Sequence, residues 1–188
     1  MWEDENLIKI LQSGGVVVMP TDTIYGIVGS AGNKDTVERI YKIRKRSQET
    51  PCIILIGDIS DLVKFSIKLS PAQKEKINEY WNGDGAVSII FDCVDDEFSY
   101  LHRGTKTLAF RLPALAPLRD LLLKTGPLVA PSANTEEVPP ASPAQNIAEA
   151  KKYFGESVDL YVDGGTITGR ASKVVRLHKD GTATILRE

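Results

Sequence analysis

Short β-branched runs that stop at proline, glycine or a polar cluster recur along this chain, with amphipathic stretches between them. Val16 to Met19 is halted by Pro20, and Cys52 to Ile56, Ala86 to Phe91, Thr107 to Leu112, Leu128 to Ala130 and Leu160 to Val162 follow. Runs this short and this rich in Val, Ile and Leu fit buried strands. Helical spacing of Leu7, Ile8 and Leu11 predicts a first helix closed by Ser13-Gly14-Gly15, and Val37, Ile40 and Tyr41 predict a second with its cap at Asp35. Ser70-Pro71-Ala72-Gln73 is a capping box opening a helix to about Tyr80. Pro117 to Lys124 is a helix stopped by Gly126, and Ser142-Pro143-Ala144-Gln145 reads as a second box whose helix ends near Phe154-Gly155. Lys173 to His178 and Thr182 to Leu186 flank Lys179-Asp180-Gly181, a hairpin signal, so at least one sheet edge is antiparallel. The expected fold class is therefore α/β: a twisted, mixed parallel and antiparallel sheet with flanking helices, in one domain over residues 1–188.

With 188 residues, 42% of them hydrophobic, 26% charged and a net charge of −2, the chain has the composition of a soluble globular domain. A domain of this size can bury about 70% of its unfolded surface. Cys52 and Cys93 lie far apart without metal-ligand spacing, which argues against a disulfide framework or structural zinc and for a reducing compartment. Met1-Trp2-Glu3-Asp4-Glu5 is acidic where a signal peptide is basic, and no apolar run approaches a membrane span, so a cytoplasmic location without membrane contact is expected.

Residues 34 to 46 hold six basic side chains (Lys34, Arg39, Lys42, Arg44, Lys45, Arg46) against Asp35 and Glu38. Such a run is either a solvated helix face or a place for an anion. Its position before a buried strand favours phosphate, because α/β sheets bind ligands at strand ends. There is no GxxxxGK[ST] and no GxGxxG, so nucleotide binding needs another scaffold. Pro131-Ser132-Ala133-Asn134 after an apolar strand is either a capping turn or a set of donors for phosphate or carboxylate oxygens. Ser132 lacks a nucleophile-elbow surround, and the only histidines are His102 and His178, which disfavours Ser/His catalysis. The acidic run Asp92, Asp95, Asp96, Glu97 fits a solvated loop. Arg111, a charge inside Leu108-Ala109-Phe110-Arg111-Leu112, is either half of a buried pair or a clamp for a ligand carboxylate.

Together, Pro20-Thr21-Asp22-Thr23-Ile24-Tyr25-Gly26, Arg44-Lys45-Arg46, Phe110-Arg111-Leu112-Pro113, Pro131-Ser132-Ala133-Asn134 and Asp163-Gly164-Gly165 resemble, in order and spacing, the YrdC-like family of threonylcarbamoyl-AMP synthases. The resemblance covers roughly residues 7 to 187, includes Pro139-Pro140, and is to the short form without a C-terminal extra domain. It implies a YrdC-like fold with a basic concave cleft. It also implies a reaction in which L-threonine and bicarbonate form a carbamate that attacks the α-phosphorus of ATP, releasing pyrophosphate and leaving threonylcarbamoyl-AMP for tRNA modification. No protein nucleophile is required. By the resemblance, Lys42, Arg44, Arg46, Thr107, Ser132, Asn134 and Arg187 would hold ATP, and Thr23, Arg111 and Ser172 would hold threonine. Magnesium would come with the triphosphate, without a protein-bound metal, and downstream tRNA threonylcarbamoyl transferase proteins would be the partners. A divergent member that binds double-stranded RNA, or a paralogue without synthase activity, is the alternative. The chain departs from the family in having Arg44 where a lysine is usual, Thr50 and Leu55 at two expected polar positions, Trp81-Asn82-Gly83-Asp84-Gly85 for Trp-Pro-Gly-Pro, and Ala171-Ser172-Lys173 for Glu-Ser-Thr. Residues Glu136 to Pro143, with three prolines, read as a mobile loop and candidate lid.

Overall fold

A computed structural model of the chain describes residues 1–137 and 142–188. In chain order the elements are α1 (Glu5–Gln12), β1 (Val17–Pro20), β2 (Tyr25–Ser30), α2 (Lys34–Arg44), β3 (Ile53–Leu55), α3 (Pro71–Asn82), β4 (Val87–Asp92), α4 (Ser99–His102), β5 (Thr107–Arg111), α5 (Ala116–Thr125), β6 (Leu128–Val129), α6 (Ile147–Phe154), β7 (Leu160–Tyr161), β8 (Lys173–Leu177) and β9 (Ala183–Arg187). Segments of 3-10 helix lie at Ile59–Phe65 and Asp96–Phe98. The strands form one nine-stranded mixed sheet in the order β7-β1-β2-β6-β3-β5-β4-β8-β9. Three pairs, β1–β7, β3–β5 and β4–β8, are parallel and the other five antiparallel, and the expected hairpin β8–β9 forms one edge.

The sheet is buried from both sides. Leu7 and Leu11 of α1 and Leu118, Leu121 and Leu122 of α5 cover Val17, Met19, Val28 and Leu55. The larger cluster joins Val16, Val18, Ile27, Ile40, Ile54 and Phe110 to the aromatic group Phe65, Phe91 and Phe98. In β5 the side chains alternate: Leu108 and Phe110 enter this core, while Thr107, Ala109 and Arg111 line the cavity described below.

Several boundaries differ from expectation for identifiable reasons. The strand β2 was not anticipated, because Gly26 and Gly29 interrupt its apolar pattern. Gly29 is needed there: a Cβ would lie 2.4 Å from Cγ2 of Thr36, so α2 could not approach β2. The α2 cap is Asn33, whose side chain accepts from the Thr36 N–H, rather than Asp35. The helix closes at Lys45 in the left-handed conformation (φ 51°), so Arg46 lies outside the helix that carries Arg39 and Lys42. Ser142-Pro143-Ala144-Gln145 does not open α6. Ala144 N–H donates to the Ala133 carbonyl (2.9 Å), which holds that segment extended, and Asn146 caps the helix through the Glu149 N–H. By contrast, the Ser70–Gln73 box forms as read, with Pro71 in the first turn. His102, expected in a loop, ends α4 and is 1% exposed. The lid reading of Glu136 to Pro143 falls in part on residues 138–141, outside the described residues, as does Pro139-Pro140.

Candidate active site

A cavity of about 620 Å³ opens across the sheet, within the usual range for small-molecule sites. Its walls come from the β1–β2 turn, the start of β3, one face of β5, the loop after β6, and the strap before β8 together with β9.

The turn is built by Thr21. Its hydroxyl donates to the Ile24 carbonyl (2.8 Å) and accepts from the Thr23 N–H (3.2 Å), which fixes the Thr23 hydroxyl 3.1 Å away. Arg111, at the end of β5, reaches this turn. Its Nη2 donates to Asp22 Oδ1 (2.8 Å) and to the Thr21 and Thr23 hydroxyls (3.4 and 3.3 Å). Both open readings of Arg111 thus have a physical basis, since it is half of a buried pair with Asp22 and also lines the cavity. Its Nε is buried without a hydrogen-bond partner among the described residues. Burial pulls the Arg111 pKa below the usual arginine value, opposed by Asp22.

At the opposite wall, Pro131-Ser132-Ala133-Asn134 is pinned to β2: Ile27 N–H donates to the Pro131 carbonyl (3.0 Å) and Ala133 N–H to the Tyr25 carbonyl (2.9 Å). Arg44, 1% exposed, ties the loop from behind. Its Nε donates to the Asn134 carbonyl (3.0 Å), and its Nη2 to the Ser132 hydroxyl (3.3 Å) and Asn134 Oδ1 (3.2 Å). The Ser132 hydroxyl in turn donates to Asn134 Oδ1 (2.6 Å). Arg44 Nη1 lies 3.0 Å from Glu136 Oε1, at an angle that makes an ion pair but not a hydrogen bond. Burial, then repulsion by Arg46, pulls the Arg44 pKa down.

Arg46 does line the cavity. Its guanidinium donates to the Thr50 and Pro51 carbonyls (both 3.1 Å) and pairs with Glu136, which holds the 45–51 turn around it. Arg103 supports that turn from below, stacked 3.9 Å over the Tyr41 ring while Tyr41 Oη donates to the Thr50 carbonyl (2.7 Å). The third wall is Arg187 on β9, donating to the Ser172 carbonyl (2.8 Å), with the Ser172 hydroxyl 2.8 Å from that of Ser88.

The cavity therefore gathers Thr23, Arg46, Thr107, Arg111, Ser132, Ser172 and Arg187 from distant parts of the chain. Three expected ATP contacts are placed elsewhere. Lys42 is exposed on α2, half a turn of helix away from the buried Arg44, while Arg44 and Asn134 lie behind the wall and orient it. Sequence reasoning gave no role to Asp22 and Glu136, the carboxylates that hold Arg111 and Arg46; a partner for each buried arginine was the signal that pointed to them. Three guanidiniums (Arg46, Arg111, Arg187) and one carboxylate (Glu136) line the cavity, so the concave surface is basic.

A family model described as "Telomere recombination", the Sua5/YciO/YrdC model, matches residues 9–188. The chain belongs to the Sua5/YciO/YrdC family. Among named relatives, the threonylcarbamoyl-AMP synthase of Hahella chejuensis is 30% identical, with all of this chain and 98% of that protein aligned. That of Bacillus subtilis is 34% identical over 74% of this chain. The chain spans only 40% of the length of the Bacillus relative. The crystal structure of Pyrococcus abyssi Sua5 complexed with L-threonine superposes with a TM-score of 0.82 at 24% identity, over 97% of this chain and 52% of that one. At that identity the likeness establishes the Sua5/YciO/YrdC fold. Among the described residues no helix is long and apolar enough to cross a membrane.

Proposed function

We propose that this chain is a threonylcarbamoyl-AMP synthase, a nucleotidyltransferase that joins L-threonine, bicarbonate and ATP with release of pyrophosphate. The observation that carries the reading is the cavity itself: two arginine subsites, Arg111 beside Thr23 and Arg46 beside Glu136, share one space. The threonine carboxylate accepts from the Arg111 guanidinium, and Thr23 contacts the same substrate. Arg46 and Arg187 receive the phosphates, and the Ser132 loop orients the nucleotide against the carbamate. Thr107 and Ser172 complete the wall between them.

The chemistry asks the protein for position and charge. The carbamate oxygen forms a bond to the α-phosphorus as the bond to the β-phosphate oxygen breaks, and the guanidiniums stabilise the negative charge that grows on the departing pyrophosphate. A walled cavity also limits water attack on the mixed anhydride. The described residues hold no group of three His, Cys, Asp or Glu side chains suited to a metal. Magnesium enters as part of the nucleotide substrate, held by phosphate oxygens and water. The product passes to tRNA threonylcarbamoyl transferase proteins, in a cytoplasm that suits two buried free thiols, Cys52 and Cys93.

Calorimetry tests the assignment of subsites. L-threonine binding is expected to be lost in Arg111→Ala and ATP binding weakened at least tenfold in Arg46→Ala. Unchanged binding of both ligands in both variants would overturn the reading.

A further inference from the structure

The two arginines that pair with carboxylates in the cavity do so in different ways. Asp22 is sealed beside Arg111, each side chain 4% exposed, and Asp22 is not part of the cavity wall. Glu136 is part of the wall, with its side chain 25% exposed, and its Oε1 contacts Arg44 and Arg46 at once. A carboxylate oxygen held between two converging guanidiniums occupies the position that a phosphate oxygen would take. The Glu136 backbone is fixed, since its N–H donates to the Arg44 carbonyl (2.9 Å), whereas its side chain meets open cavity.

We infer that Glu136 is a built-in competitor for the phosphate subsite, a carboxylate that satisfies Arg44 and Arg46 in the empty enzyme and must leave Arg46 when a phosphate arrives. This rests on the reading of Arg46 as a phosphate ligand. The physical need comes from Arg44: a cation 1% exposed without a counter-charge is strongly destabilising, so the unliganded fold requires an anion at this point. An anion on a rotatable side chain meets that need and yields to a stronger one. Phosphate binding is thereby an exchange, weaker than at a bare arginine pair, and pyrophosphate is displaced more readily once Glu136 swings back.

The test is calorimetry with inorganic tripolyphosphate in chelator-treated buffer, so that metal and adenosine contribute nothing. Glu136→Gln is expected to bind tripolyphosphate about tenfold more tightly than the wild type, and the gain should vanish in the Glu136→Gln, Arg46→Ala double variant. Without anion the Glu136→Gln Tm should fall, and tripolyphosphate should raise it by more than it raises the wild-type Tm. Glu136→Asp, which keeps the charge but shortens its reach, provides a second variant with the same direction of effect. Glu137→Gln, an exposed carboxylate paired with Lys45, should bind as the wild type does. Unchanged or weaker binding in Glu136→Gln and Glu136→Asp would overturn the inference, as would absence of tripolyphosphate binding to all variants. The ATP and threonine titrations above fail only if the functional reading itself is wrong.

Discussion

Asp22 and Arg111, separated by 89 residues in sequence, meet at 2.8 Å with both side chains 4% exposed. The pair joins the β1–β2 turn to the end of β5 and so sets where the Thr23 hydroxyl stands. Removing one partner leaves a buried, uncompensated charge, which costs about 3 to 5 kcal/mol. Asp22→Asn should therefore lower the Tm by about 10 °C. The Asp22→Asn, Arg111→Met double variant should lose less than the sum of the single losses, read by denaturant unfolding.

Arg44 gives a second, geometric prediction. It makes three hydrogen bonds to the Ser132–Asn134 loop from the end of α2. A compact ammonium cannot span those acceptors. Arg44→Lys should destabilise the protein by about 2 kcal/mol and lower ATP affinity, although Arg44 does not itself line the cavity. Unfolding midpoints together with nucleotide titration check both halves.

The strap before β8 packs against Thr23, in the proposed threonine subsite, through Gly169. A Cβ there would lie 2.0 Å from the Thr23 carbonyl oxygen, a backbone atom that cannot yield cheaply. Gly169→Ala should push the β1–β2 turn and weaken threonine binding by about tenfold or more, with ATP binding little changed. Titration with each ligand distinguishes this from general loss of fold.

A pH-dependent contribution lies away from the cavity. Asp159 holds α2 against β1, accepting from Arg39 Nη1 (2.6 Å) and Nη2 (3.0 Å) and from the Val16 N–H (2.7 Å). These bonds, the Arg39 side chain first, hold the Asp159 carboxyl below the usual carboxylate range. A depressed folded pKa stabilises above the unfolded value near 3.9 and ceases to do so as pH falls through the folded value. The pair is about two-fifths exposed on each side, so its contribution is about 1 kcal/mol or less. Asp159→Asn should be less stable than wild type from pH 5 to 7, and the difference should shrink below about pH 4. Denaturant unfolding across that range reads it.

How much of this was legible in the sequence depended on whether the signal was local. Arg111 stood out because a charge inside an apolar strand has to be paired or bound, and it is paired with Asp22 while lining the cavity. The Ser70–Gln73 box and the Asp180-Gly181 hairpin are decided within a few residues, and both form as read. The strand β2 was hidden because its glycines serve contacts with α2 and the Ser132 loop, which no local pattern records. Lys42 and Arg46 could be placed on one face only by extending α2 beyond Lys45, where the backbone turns left-handed. The contact of Arg44 with Asn134 spans 90 residues, so its role as a support behind the wall required the fold. The motifs marked the cavity; the partners that hold its arginines came from the packing.

The central claim is that one cavity joins threonine, bicarbonate and ATP. Its most direct test is pyrophosphate release by the purified protein, with L-threonine and bicarbonate omitted in turn and Arg46→Ala and Arg111→Ala as controls. Release that needs both substrates and is lost in both variants is the predicted result. Release independent of threonine, or undiminished in the variants, would contradict the account.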